Sequence, residues 1–276
     1  MSKTGSAAKV KLNSFDDLFG TEQPQTGTEQ VQEIALSELH EFKGHPFKVL
    51  DDEKMQETME SIREHGVLMP GIARPMKDGG YEIIAGHRRR HACELVGLTT
   101  MPMFIRDYTD DEATIIMVDS NIQREDILPS EKAKAYFMKY EAVKHQGKKG
   151  KGNSLDEVGE TAGESAKTVQ RYIYLAHLSD ALLDMVDKKK IGIVQGVELS
   201  FLTEQQQEWV QVVLEETGVI ISTVQASRLK EYGKSDELTL PMVRLILTEP
   251  KPIERKVTIK ADKISRYFPA DYSNEQ

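Results

Sequence analysis

The sequence predicts a small α+β unit followed by an all-α unit, and three observations carry that expectation. Between residues 32 and 125 short β-type runs alternate with helical periods. Beyond Pro129 the apolar period is helical throughout, and Leu155 to Ile173 carry the spacing of two short helices joined at a glycine. A chain of 276 residues is long enough for two compact units plus linkers, each with a core of its own.

Residues 1 to 31 are rich in Ser, Thr, Gly, Gln and Lys and read as a largely disordered arm, with one apolar island at Phe15, Leu18 and Phe19 that could form a short partner-binding helix. Ile34, Leu36 and Leu39 predict a first strand. Met55, Met59 and Ile62 then recur at helical spacing, and Gly66 is placed to end that helix. Ile72 to Met76 and Tyr81 to Ala85 flank Lys77-Asp78-Gly79-Gly80, a hairpin signal. A helix from His87 stops near Gly97, Met101 to Arg106 supplies another strand, and Thr109 to Asn121 another helix.

The helical unit is expected over residues 126–218. It begins with a helix that places Ala133, Phe137, Tyr140 and Val143 on one face and lysines on the other. A flexible link, Gln146 to Gly152, leads into Leu155, Val158, Ala162, Gly163, Val169 and Ile173. These match a helix-turn-helix in which Gly163 makes the turn and Ser165 caps the second helix; a generic helical hairpin has the same spacing. Leu182, Leu183 and Val186 lead into Lys188-Lys189-Lys190, read as a solvated helix end. Trp209, Val212 and Val213 are expected in the core. Residues 219–276 read as a tail: Lys256 to Lys260 is strand-like, Tyr267-Phe268-Pro269 follows, and the segment suggests a truncated dimerisation element.

The net charge of −9 and pI near 5.4 argue against a wholly basic nucleic-acid coat. The charge is unevenly placed, however. Acids outnumber bases between Asp16 and Glu60, whereas Lys132 to Lys151 carries seven lysines against the single acid Glu141, so the second half holds the candidate polyanion surface. Cys93 is the only cysteine, which excludes an intrachain disulfide and a thiolate-rich metal site. No window is apolar for long enough to span a membrane, and Met1 to Lys11 lacks the apolar centre of a secretory signal, so a cytoplasmic protein with no membrane partner is expected.

Two segments carry chemistry. In Ile83-Ile84-Ala85-Gly86-His87-Arg88-Arg89-Arg90-His91-Ala92 a β-type run ends at a glycine and five cationic or titratable residues open a helix. A helix N-terminus already carries partial positive charge and unpaired N–H donors, so arginines there cost stability unless an anion sits among them. Gly86 lets the backbone approach phosphate oxygens closely; the plain alternative is a solvated basic face. The second segment is the polar half of the helix after Gly163. There Ser165, Lys167, Thr168, Gln170 and Arg171 stand where a recognition helix meets base edges and phosphates, while Tyr172 and Ile173 pack inward.

Over residues 34 to 200 the chain resembles the ParB family of plasmid and chromosome partition proteins. Three blocks carry the resemblance: Ser61 to Pro70; Gly86-His87-Arg88-Arg89-Arg90-His91-Ala92; and Asn121-Ile122-Gln123-Arg124-Glu125-Asp126 with Pro129 and Glu131. The resemblance implies a ParB/sulfiredoxin-like domain followed by a helix-turn-helix domain, in a homodimer that recognises a centromere-like site on double-stranded DNA. It also implies CTP with Mg²⁺ in the N-terminal unit, a sliding clamp on DNA and a nucleoid-associated location. Gly86, His87, Arg88, Arg89, Asn121 and Arg124 would then hold the nucleotide, with Asn121 beside the metal. Two departures stand out: His87 occupies a usual Glu position, and Ser120 replaces a metal-binding Glu. A hydroxyl is a far poorer ligand for a hard cation than a carboxylate, so CTP turnover is expected to be slow or absent. His45-Pro46-Phe47-Lys48 also lacks the family's Gln-Pro-Arg. A ParA-type ATPase partner is expected only by analogy, because Phe15 to Phe19 differs from the basic peptide that engages it.

Two other classes fit parts of the pattern. One is a transcription regulator or nucleoid-associated protein with the same fold and no nucleotide turnover. The other is a sulfiredoxin-like enzyme, which needs a reactive cysteine directly after the glycine, where this chain has His87.

Overall fold

The computed structural model describes residues 30–124, 126–146 and 154–249. The Phe15–Phe19 island, Glu125, residues 147–153 and the Lys256–Lys260 segment lie outside them. The chain forms two compact units that divide between Asn121 and Ile122.

The first unit is built on a five-stranded sheet. Its strands are β1 (Val31–Ala35), β2 (Leu39–His40), β3 (Gly71–Pro75), β4 (Tyr81–Ala85) and β5 (Thr100–Ile105), in the spatial order β1-β5-β3-β4-β2. β1 pairs antiparallel with β5 and β3 antiparallel with β4, whereas β3–β5 and β2–β4 are parallel. The single first strand expected from Ile34, Leu36 and Leu39 is divided in two. A 3₁₀ turn over Leu36–Glu38, held by the Leu36 N–H on the Thr99 carbonyl at 2.9 Å, carries the chain from one edge of the sheet to the other. The β3–β4 hairpin closes as expected, with Gly79 and Gly80 at φ 93° and 74° and the Met76 N–H on Gly80 O at 3.0 Å.

Among the described residues three helices complete this unit: α1 (Glu53–His65), α2 (His87–Val96) and α3 (Asp110–Asp119). Met55, Met59 and Ile62 of α1 and Ala92 and Cys93 of α2 pack with Ile34, Leu39, Ala73, Ile83, Met101 and Met103. Gly66 ends α1 at φ 69° with its N–H on Ile62 O. Leu95 is 45% exposed, because it lies off the stripe of Ala92, Cys93 and Val96 that packs on the core.

The second unit contains α4 (Pro129–His145), α5 (Ser154–Glu160), α6 (Ala166–Leu175), α7 (Asp180–Asp187), α8 (Ile193–Leu199), α9 (Glu204–Thr217), α10 (Thr223–Lys234) and α11 (Leu240–Thr248). Its core runs past the boundary expected at residue 218: Ile221, Ala226, Leu229, Leu238, Val243, Ile246 and Leu247 share one cluster with Leu182, Leu183, Val210 and Val213. The buried Gln225 amide joins α10 to α11 by donating to the Ile246 and Leu247 carbonyls at 2.8 and 3.2 Å. Residues 219–248 are therefore part of the helical body rather than a tail. On α9, Val213 is fully buried and Trp209 packs against the core, but Val212 is 37% exposed, one position off the buried stripe.

On α4 Ala133, Ala135 and Tyr136 are fully buried and Lys139 nearly so, while Phe137 and Tyr140 are half-buried. Its lysines do not form a free basic face. Lys132 pairs with Glu164, Lys134 with Asp180 at 2.7 Å and Lys144 with Glu141 at 3.0 Å, and Lys139 Nζ reaches Thr161 Oγ1 at 3.2 Å. Among the described residues no helix is long and apolar enough to cross a membrane.

Candidate phosphate-binding turn and nucleic-acid interface

Gly86 links β4 to α2 at φ 113°, a backbone state that disfavours any side chain. Space is also short: a Cβ there would lie 3.2 Å from Gly71 Cα, 3.3 Å from Met101 Cε and 3.4 Å from Arg89 Nη2. No side chain caps α2 and no acid lies in its first turn, so the N-terminal N–H groups and macrodipole meet arginines.

Those arginines are held in place. Arg88 hydrogen-bonds Asp52, the residue that caps α1 by accepting the Met55 N–H at 2.9 Å. That guanidinium holds the Asp52 carboxyl below the usual carboxylate range. Arg89 donates through Nη1 to the Met69 carbonyl and, at 2.9 Å, to the Pro70 carbonyl, and burial pushes its pKa down. Arg90 pairs with Glu94 at 2.8 Å, and His91 Nε2 lies 2.8 Å from Asp51 Oδ1. His87 folds inward, and burial, reinforced by His45 and then Arg90, pushes its pKa down to about 3.

A polyanion fits this turn on two observations. Among the described residues His87 Nε2 and Arg90 Nε are buried without a hydrogen-bond partner, and both belong to the first turn of α2. A protein-held hard cation fits poorly. Ser120 donates its hydroxyl to Met117 O at 2.9 Å, and Asn121 Nδ2 donates to the same carbonyl at 2.9 Å and to Ser120 Oγ at 3.2 Å. No group of three or more His, Cys, Asp or Glu that could hold a metal occurs among the described residues.

In the second unit α5 and α6 meet at Gly163, φ 66°, and Ser165 caps α6 by accepting the Thr168 N–H at 3.3 Å. A Cβ on Gly159 would lie 2.4 Å from the Glu164 carbonyl oxygen, so only glycine lets the turn close. Val169, Ile173 and Leu175 are buried, leaving Ser165, Lys167, Gln170 and Arg171 exposed on the other side with Thr168 between. Glu164 fixes the turn against α4 through Lys132 and through the Tyr136 hydroxyl, which donates at 3.1 Å.

A family model, the ParB N-terminal domain, matches residues 20–122. The probable chromosome 1-partitioning protein ParB of Deinococcus radiodurans is 32% identical over 212 residues, 77% of this chain and 70% of that protein. The chain belongs to the ParB family. Chromosome-partitioning protein Spo0J of Thermus thermophilus is 30% identical over 235 residues, 85% of this chain and 80% of that one. Crystal structures of the C-terminally truncated ParB of Caulobacter crescentus are also similar. The form complexed to the centromeric parS site has TM-score 0.41 at 21% identity, and the form complexed with CTP-gamma-S has TM-score 0.32 at 25%; each match covers 72% of this chain and 98% of that one.

In this ParB-family chain Gly86, His87, Arg88 and Arg89 gather at one turn, whereas Asn121 lies just past the end of α3 and Arg124 belongs to the second unit. Sequence reasoning missed Asp52 and the Met69 and Pro70 carbonyls, which position the arginines. It noted His45 only as a departure from the family pattern. The N-cap pattern of an acid just before the Met55 period was the available signal for Asp52. Cys93, the one cysteine, is fully buried and burial pushes its thiol pKa up, which removes the nucleophile that a sulfiredoxin-like reaction needs.

Proposed function

We propose that this chain is a site-specific DNA-binding partition protein that acts as a homodimer on a centromere-like site, with CTP bound at the Gly86 turn regulating its clamp on DNA. The observation that carries the CTP half is Gly86 itself. It is left-handed and wedged against Gly71 and Met101, and it opens a helix whose first turn is cationic and free of acid. CTP supplies the triphosphate charge and the energy of a hydrolysable bond. Gly86 lets backbone N–H groups face the phosphate oxygens, Arg89 is preorganised by two carbonyls, and Arg88 can exchange the Asp52 carboxylate for phosphate. That exchange ties ligand binding to the N-terminus of α1.

DNA recognition is assigned to α6 as the second helix of a helix-turn-helix. Gln170 and Arg171 are suited to base edges and Lys167 to phosphate, with Ser165 and Thr168 at the helix N-terminus. A nucleoid-associated location is expected of the family, and a ParA-type ATPase partner by analogy alone. The test is retention on DNA circles: CTP should hold the protein on a closed circle carrying its site, and cutting the circle should release it. Retention indifferent to CTP contradicts the clamp.

A second reading, a DNA-binding regulator without turnover, is favoured by the Ser120 hydroxyl, which is spent on Met117 O where a carboxylate would be needed for Mg²⁺. A phosphate-release assay separates the two, since DNA-stimulated turnover excludes the second.

A further inference from the structure

His87, the first residue of α2, packs its imidazole on that of His45, with ring centroids 3.9 Å apart and planes inclined by 36°. His45 belongs to the loop after β2, where its Nδ1 lies 2.8 Å from the Phe47 carbonyl oxygen and the Phe47 ring meets it edge-on at 5.7 Å. A carbonyl only accepts, so in the neutral His45 ring Nδ1 carries the hydrogen and Nε2 the lone pair. His87 Nε2 is buried and has no hydrogen-bond partner. Two imidazoles thus stack at the start of a cationic helix, and the unpartnered Nε2 of His87 has capacity for a proton.

We propose that the His45–His87 pair is a proton-binding subsite of the phosphate site, taking up a proton when a nucleoside triphosphate binds at the Gly86 turn. This rests on the assignment of that turn to phosphate. Without ligand, burial, His45 and Arg90 all act against the charged form of His87 and hold it neutral. A triphosphate brings several negative charges to the same helix end, and opposite charge within about 4–6 Å favours the protonated imidazole.

The carboxylates that flank the start of α2 from α1, from α2 itself and from β4 are committed elsewhere. On the α1 side Asp51 meets His91 and Asp52 meets Arg88, Glu94 of α2 holds Arg90, and Glu82 of β4 holds Arg74 at 2.6 Å and the Lys43 N–H at 3.2 Å. β5 carries no ionisable residue from Thr100 to Ile105, and Glu41, Lys43 and Lys48 of the His45 loop are exposed. The counter-charge that lets the pair protonate therefore comes from the ligand. Proton uptake linked to binding makes affinity fall as pH rises, by up to about tenfold per pH unit for one proton.

Calorimetric titration of CTP into the full chain, in buffers of different ionisation heat between about pH 6 and 8, counts the protons exchanged. The phosphate chain itself can only release protons on entering a cationic site, so net uptake belongs to the protein. Wild type should show net uptake and weaker binding at higher pH, and both effects should shrink in His87→Gln and in His45→Asn. CTP binding with no net uptake in wild type, or with equal proton counts in wild type and both variants, overturns the subsite while leaving the phosphate site standing. Absence of CTP binding at every pH overturns the phosphate site and the subsite together.

Discussion

Arg88 and Asp52, 36 residues apart in sequence, are joined by a hydrogen-bonded ion pair that ties the first turn of α2 to the N-cap of α1. One carboxylate thereby serves a helix end and the arginine proposed to meet phosphate at once. Whatever takes the guanidinium away from Asp52 also alters the start of α1.

The pair has a pH signature. Hydrogen bonding by Arg88 lowers the Asp52 pKa from 3.8, so its contribution to stability is complete above the unfolded value and disappears as pH falls below 3.8 through the folded one. Thermal melts between about pH 2 and 4 should show a steeper acid loss for wild type than for Asp52→Asn. Parallel curves would mean that the pair contributes nothing.

Gly86→Ala should destabilise the first unit by roughly 1–3 kcal/mol, through the φ of 113° and the 3.2 Å approach to Gly71 Cα. Chemical denaturation measures the loss. CTP binding should vanish under conditions where the variant is still folded by circular dichroism.

Much of this arrangement is legible in the sequence, because it is local. The period of Met55, Met59 and Ile62, the hairpin at Gly79-Gly80 and the Gly163–Ser165 turn each depend on neighbours within a few residues. What was not legible depends on distant partners. Nothing near Leu36 announces that its N–H will meet Thr99 and break the first strand. The lysines of α4 read as a candidate polyanion surface because their partners, Glu164, Asp180 and Thr161, come from other segments. Gly86 and the arginines stood out as a run, but Asp52 and the carbonyls that orient them lie on the far side of chain reversals.

Arg171→Ala should leave the melting behaviour within about 0.5 kcal/mol of wild type, because the side chain is exposed. Specific DNA binding should weaken by about 1–3 kcal/mol, or about 5- to 150-fold, as measured by fluorescence anisotropy. Lys167→Ala should weaken all sequences alike and reduce the salt slope by about 1.

Gly159→Ala places a methyl 2.4 Å from the Glu164 carbonyl and cannot be accommodated without moving the turn. It should abolish specific DNA binding and destabilise the second unit by roughly 1–3 kcal/mol. CTP binding at the first unit should persist. Wild-type DNA affinity in this variant would show that the turn does not position α6 for recognition.

The most direct measurement is a calorimetric titration of CTP into wild type and Arg88→Gln, with and without the DNA site and with melting curves as the control for folding. Saturable binding to wild type that is lost in a folded Arg88→Gln is the predicted result. Equal binding to both proteins, or none to wild type, contradicts a triphosphate held by the arginine-lined turn.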